Sequence, residues 1–345
     1  MFNSQIPRRA FTKQALAFSA GLAGASRSVR QSRGESPSPV PPTDEQLQRV
    51  AAGKLLHIDE LTQPAIIKSL ELLKAGNEYL VRLRTKDDAE AVVVGNSSRL
   101  ALAWPIFNNR VAPTFIGQDA RRIESLVDEV YRSGSNYKWQ GLPFWVCVAA
   151  AEMAVLELLG QLTGKSIGQL FGGVQREEIA VYRASSHRGN RPQEEVAYLQ
   201  KLIAETGAQA VKFRLGGRMS NNRDSRPQRT ETLIPLVRKE LGDEITLYAD
   251  SNSSYDVENA IRIGRLMEQH NYAFFEEPCP FDHLWETKQV TDALDIPIAG
   301  GEQEFSMRRF RWAIANRVMD VAQPDLHYFG GFLRCTRVAR MAHTA

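Results

Sequence analysis

Three cysteines in 345 residues, with no Cys-x-x-Cys pair among them, leave neither a thiolate zinc site nor a disulfide framework to organise the chain. Cys147, Cys279 and Cys335 read as buried free thiols. No Gly-x-Gly-x-x-Gly turn opens a strand-helix unit, which excludes a dinucleotide-binding α/β fold. A one-signed charge excess is missing too. The formal +3 comes from the first 43 residues, where six basic side chains (Arg8, Arg9, Lys13, Arg27, Arg30, Arg33) face a single acid, Glu35, and the remainder carries −2. A near-neutral body argues against nucleic acid and membrane surfaces as partners. The apolar run Ala15–Ala25 is too short and too rich in small residues to span a membrane. What is plentiful is apolar surface: 43% of the residues are hydrophobic, enough for a sizeable core at a length that admits two domains.

The start of the chain, Pro7-Arg8-Arg9-Ala10-Phe11-Thr12-Lys13 and then that apolar run, resembles a bacterial twin-arginine (Tat) export signal. The resemblance implies cleavage near Ala25, passage through the Tat machinery in the folded state and a periplasmic location. Ser32–Thr43, with four prolines, reads as linker, so residues 1–43 form one segment. Residues 50–175 read as an α+β unit. Glu78–Arg84 and Ala91–Val94 alternate as the two strands of a hairpin, and helices are expected over Arg121–Arg132 and Pro143–Leu162. The stretches around 60–76 and 96–104 are expected to be loops.

From residue 176 strands and helices alternate, which predicts a parallel sheet closed as a barrel. Expected strands are 179–184, 208–214, 245–250, 272–276, 296–302 and 319–324, and expected helices include 194–206, 230–241 and 331–342. Three acids end three successive strands at equal intervals of 26 residues: Asp250, Glu276 and Glu302. Neighbouring parallel strands lie roughly 4.8 Å apart, so the three carboxylates converge. Carboxylates that close repel unless a cation joins them, and a hard dication with oxygen ligands, Mg²⁺ first and Mn²⁺ second, is the natural one. Lys212 and Arg214 share one face of the strand before them, and Asp325 follows the strand after them.

Together Lys212-x-Arg214, Asp250 with Asn252, Phe275-Glu276-Glu277-Pro278, Gly300-Gly301-Glu302 and Gln323-Pro324-Asp325 resemble the enolase superfamily, in its mandelate racemase and muconate lactonizing enzyme-like group. The resemblance covers about residues 50–345. It implies an α/β fold: a (β/α)7β-type modified TIM barrel, about six strands of it present in 176–345, preceded by an α+β capping domain. It also implies that Asp250, Glu276 and Glu302 hold Mg²⁺, that Lys212 faces a substrate carboxylate, and that Asp325 orients a catalytic histidine. That histidine is expected roughly 25–30 residues past Asp325, one strand-helix repeat further on and beyond Ala345. His343 stands on the wrong part of the repeat. Glu277 and Asn252 would orient the ligands. His327, two residues after Asp325 and on its side of an extended chain, is read evenly as substrate-facing or as a structural hydrogen-bonding residue. A symmetric homo-oligomer is the assembly implied.

The chemistry that goes with such a site is removal of the proton α to a carboxylate through an enediolate. Arg214 stands where the family's racemases carry a lysine base, and arginine stays protonated at any ordinary pH. Racemisation needs a base on each face, whereas dehydration runs with one. The expectation is a hydro-lyase that dehydrates an acid sugar. The alternatives are a racemase or epimerase of a 2-hydroxy acid or similar carboxylate, and an exported sugar-acid binding protein without catalysis. The four arginines of Arg218–Arg229 read mainly as a solvated loop, with contact to an anionic substrate as the other reading. His187 is read evenly as structural or substrate-facing, and Tyr182 and Arg183 as packing at the barrel wall.

Overall fold

The computed structural model describes residues 41–345, so the expected export signal and most of the expected linker lie outside the described residues. Helix α1 (Asp44–Ala51) starts on a reciprocal capping box, in which the Thr43 hydroxyl accepts from the Gln46 amide and the Gln46 side chain accepts from the Thr43 amide. Three antiparallel strands follow, β1 (Ile67–Ala75), β2 (Glu78–Thr85) and β3 (Glu90–Val94), paired in that order. β2 and β3 are the expected hairpin. β1 corrects the loop expected around 60–76. Its register shifts between Ile67 and Ser69, and that irregularity breaks the period-two alternation that marks a strand in sequence. The loop expected at 96–104 is likewise helix α2 (Ser97–Ile106), capped by the Asn96 side chain on the Arg99 amide.

The chain continues through α3 (Ala112–Phe115), α4 (Ile123–Arg132), α5 (Leu142–Thr163) and α6 (Ile167–Leu170). α5 is the axis of this half. It is long and apolar enough to cross a membrane, but 78% of its apolar window is buried inside the protein, because it packs against α2, β2 and β3 at once. A helix apolar on all sides is what such central burial selects. Its residues, with Leu100, Phe107 and Leu126 among others, form the first apolar core.

The second half alternates: β4 (Arg183–Ala184), α7 (Pro192–Thr206), β5 (Ala210–Arg214), α8 (Arg229–Leu241), β6 (Thr246–Asp250), α9 (Val257–Gln269), β7 (Phe274–Glu276), α10 (Leu284–Ala293), β8 (Ile298–Gly300), α11 (Met307–Ala315), β9 (Val321–Ala322) and α12 (Phe332–Thr344). β4 to β9 make one six-stranded parallel sheet in chain order, the sequential βα winding of a barrel wall. The strand expected over 179–184 pairs only at Arg183 and Ala184, and Ile179 and Val181 are exposed. The pleat sorts the side chains. On β5, Val211 and Phe213 point into the second core with Leu199 of α7 and Leu233 and Val237 of α8, so Lys212 and Arg214 point the other way. A third cluster joins Leu47 of α1 to Phe310, Phe329, Val338 and Met341.

α12 is tied to α5 by one buried carboxyl group. Glu152 accepts hydrogen bonds from the first two amides of α12, Phe332 at 2.7 Å and Leu333 at 2.8 Å, and so satisfies donors that a helix start leaves open. Gly331 makes this approach feasible. Its φ is +108°, and a Cβ there would stand 2.0 Å from a Glu152 carboxylate oxygen.

Candidate active site

Register brings the expected residues together. Arg214 pairs across the sheet with Asp250, Asp250 with Glu276, and Glu276 with Ala299 on β8, from which Glu302 follows in the next turn. Lys212, Asp250, Asn252, Glu276 and Glu277 are all buried. Two ion pairs neutralise the innermost carboxylates. Lys212 Nζ lies 2.5 Å from Glu276 Oε2 and also over the Tyr182 ring, 5.0 Å from its centroid, and Arg214 pairs with Asp250. Removing one partner of such a buried pair costs about 3–5 kcal/mol, because the other charge is left without compensation.

Asn252 is the junction of the site. Its amide nitrogen donates to Asp250 Oδ2 at 3.0 Å and to Glu277 Oε2 at 3.2 Å. Its amide oxygen accepts from three guanidiniums: Arg188 at 2.5 Å, Arg214 at 3.3 Å and Arg218 at 3.2 Å. Three cations that share one neutral acceptor repel one another. Burial and the Arg214, Arg218 and Arg229 charges push the Arg188 pKa down to about 10. The backbone is bent to hold this junction. Asn252 (φ 42°), Ser253 (φ 63°) and Glu277 (φ 44°) are all left-handed, at roughly 1–3 kcal/mol each for non-glycine residues, and Ser253 N donates to Glu277 O to fix the bend. Gly216 has no such choice: with φ at +56°, a Cβ would meet the Ser254 side chain at 2.5 Å.

Glu277 is the strained acid of the group. Burial and the charges of Glu302 and Glu276 push its pKa up to about 7, against the pull of the Asn252 amide and Lys212. Its Oε1 is buried without a hydrogen-bond partner among the described residues. Among the described residues, no three His, Cys, Asp or Glu side chains are grouped as a ready chelate. Lys212 and Arg214 occupy oxygens of Glu276 and Asp250, and Glu302 Oε1 accepts from Gln303 at 3.0 Å. In kind, the donors fit a hard dication. They are all carboxylate oxygens at adjacent strand ends, and the orphaned Glu277 Oε1 marks a place where a positive partner is wanted.

Other expected residues sit apart from this junction. Asp325 Oδ1 accepts the amides of His327 and Tyr328, both at 2.8 Å, and so closes the turn after β9. His327 Nδ1 is buried without a hydrogen-bond partner among the described residues. Tyr328 reaches back to Arg99, which donates to its hydroxyl at 3.1 Å. His187 packs edge-on against Tyr198, 4.4 Å between centroids, which supports its structural reading. Of the four loop arginines only Arg218 turns to the site. Arg223 and Arg226 donate to backbone carbonyls, and buried Arg229 staples three segments through the carbonyls of Asn190, Arg214 and His187. Arg188 is the residue that the sequence reading missed. The available signal was its position just past the first barrel strand, where βα-loop residues line the mouth.

Residues 194–345 match the family described as enolase C-terminal domain-like. A solved protein from Roseobacter denitrificans with a provisional racemase name is 34% identical; the match covers 81% of this chain and 75% of that one, with a TM-score of 0.76. A mandelate racemase/muconate lactonizing protein from Paracoccus denitrificans PD1222, solved with magnesium, shares the fold at 24% identity and a TM-score of 0.73, over 81% of this chain and 76% of that one. Among curated relatives, the L-talarate/galactarate dehydratase of Salmonella typhimurium is 27% identical over 76% of this chain and 64% of its own. The arabinonate dehydratase of Saccharolobus solfataricus is 24% identical over 67% of this chain and 60% of its own. The chain thus spans about three fifths of the length of these curated relatives. With carboxylates at successive strand ends, a basic pair beside them and a relative this similar, the chain belongs to the enolase superfamily, among its mandelate racemase-like members.

Proposed function

We propose that this protein is a Mg²⁺-dependent hydro-lyase that removes the proton α to a carboxylate and expels a β-hydroxyl, with an acid sugar as substrate. The observation that carries the reading is the pair of buried ion pairs, Lys212 with Glu276 and Arg214 with Asp250, at adjoining strand ends. The curated relatives named arabinonate, L-talarate/galactarate and D-galactonate dehydratase support the substrate class. Asp250, Glu276 and Glu302 would hold Mg²⁺ or Mn²⁺, which when bound draws charge from the substrate carboxylate and makes the neighbouring C–H more acidic. Lys212, released from Glu276, would hold the substrate carboxylate as a point charge. Arg214 stays charged and grips a carboxylate or hydroxyl with its planar fork. Asn252 and Glu277 set the carboxylates, and His327, whose Nδ1 has no partner among the described residues, faces the substrate. Asp325 orients the base on the opposite side, and a single base is enough for elimination. Tat export to the periplasm completes the proposal.

The test is to incubate the full chain with Mg²⁺ and a panel of acid sugars in D₂O and follow the α-position and the dehydrated 2-keto product by NMR. The expected result is a Mg²⁺-dependent 2-keto-3-deoxy product, lost on chelation. The provisional racemase name of the Roseobacter relative favours a second reading, epimerisation. Deuterium at an inverted α-carbon without elimination would establish it. Tight binding with neither product nor exchange would make the protein a sugar-acid binding protein instead.

A further inference from the structure

We infer that Arg188 and Arg218, together with Arg214, form a second anion-binding point, and that the substrate is a sugar acid with a carboxylate at both ends. The inference rests on the acid-sugar reading above and narrows it. Three guanidiniums converge on the amide oxygen of Asn252 at 2.5, 3.3 and 3.2 Å, and that oxygen carries no formal charge. Arg214 is balanced by Asp250. Arg188 and Arg218 make no ion pair with any carboxylate among the described residues. Charges brought together without counter-charge are a binding surface for an anion, since an anion there relieves the repulsion as well as adding its own bonds.

The donors are positioned in advance. Arg188 is anchored through its Nη1, which donates to the carbonyls of Leu215 and Gly216, so its orientation does not await the ligand. Arg218 is exposed at the mouth, and among the described residues its guanidinium makes one hydrogen bond, to Asn252, out of five N–H donors. The acceptor that the three share is a planar amide oxygen, whose place a carboxylate oxygen can take. Asn252 links this point to the first: its nitrogen donates to Asp250 and Glu277, and its oxygen accepts from the arginines.

The experiment compares galactarate with galactonate, which differ in the carboxylate at the far carbon, by calorimetry on the full chain with excess Mg²⁺. Galactarate should bind about tenfold tighter or better. Arg218→Gln should remove about tenfold of the galactarate affinity and leave galactonate within about twofold, with an unchanged melting temperature as the check on folding. Arg188→Gln should act in the same direction, and Arg188→Lys should restore part of the loss. Equal affinity for the two acids, equal weakening of both by Arg218→Gln, or a preference for a phosphorylated sugar acid would overturn the second point while the acid-sugar reading stands. Binding of neither acid, nor of others of their class, would overturn that reading and this inference with it.

Discussion

Replacing Gly331 with alanine should uncouple the two halves of the molecule where Glu152 caps α12. A Cβ at residue 331 would lie 2.0, 2.3 and 2.7 Å from Oε2, Cδ and Oε1 of Glu152, and φ at this position is +108°. A side chain in that backbone region costs about 1–3 kcal/mol, and loss of a helix N-cap about 1–2 kcal/mol more. The sum, about 4 kcal/mol, is a large share of the 5–15 kcal/mol that holds a typical domain folded. At roughly 2 °C per kcal/mol for a chain of this size, the melting temperature should fall by about 8 °C. A double-mutant cycle isolates the cause. In a Glu152→Ala background the space is free and the cap already lost, so Gly331→Ala should cost only its backbone strain, and the coupling should be about 2 kcal/mol. Denaturant melts of the four proteins read it directly. Additivity within about 0.5 kcal/mol would refute the argument that the glycine exists to admit this carboxylate.

Glu152 also sets a pH dependence. Burial pushes its pKa from 4.5 up to about 8, against the amides of Leu333 and Phe332 and the charges of Arg337 and Arg334. A carboxyl with a raised folded-state pKa contributes fully below its unfolded value and loses that contribution as pH rises to the folded one. The advantage of wild type over Glu152→Gln in a urea melt should therefore shrink between about pH 4.5 and about pH 8, and a constant advantage would contradict it. Arg214→Lys introduces a group that can release its proton, so α-proton exchange should appear on the second enantiomer of a substrate; a wild type that already exchanges both would sink the one-base mechanism. All three thiols are buried and pushed up to about 12 by that burial, so a thiol reagent at neutral pH should find none in the native protein and three in denaturant. Arg229→Met keeps the stem and removes three hydrogen bonds to carbonyls, which should lower stability by about 3 kcal/mol and speed proteolysis at residues 187–191; native-like resistance would show that the staple is idle.

Much of the site was legible because a strand end is a one-dimensional address. An acid directly after an apolar run, repeated at 26-residue intervals, leaves little freedom in where Asp250 and Glu276 can stand, and the observed register puts them side by side. What stayed hidden depends on partners far along the chain. Arg229 and Arg218 look alike in sequence, yet one donates to carbonyls 15, 39 and 42 residues away and the other to the Asn252 amide. Glu152 reads as an ordinary acid in an apolar helix, and its role appears only when an amide 180 residues later arrives above it. β1 was lost to a bulge, where backbone geometry overrode the side-chain period. The sequential winding of β4 to β9 followed from alternation alone, since a parallel strand needs a crossover before its neighbour.

The junction at Asn252 has a consequence for how the protein ages. An asparagine followed by a serine is prone to lose its amide when the next backbone nitrogen attacks the side-chain carbonyl, and the product is an aspartate. Here that product would place a third carboxylate against Asp250 and Glu277, where the amide nitrogen now donates to both. The fold guards against it by the same contacts that build the site: the Ser253 nitrogen is held by the Glu277 carbonyl at 2.8 Å, and the Asn252 side chain is pinned from both ends. Shelf life and active-site order are thus one property, and deamidation at Asn252 should follow unfolding rather than precede it.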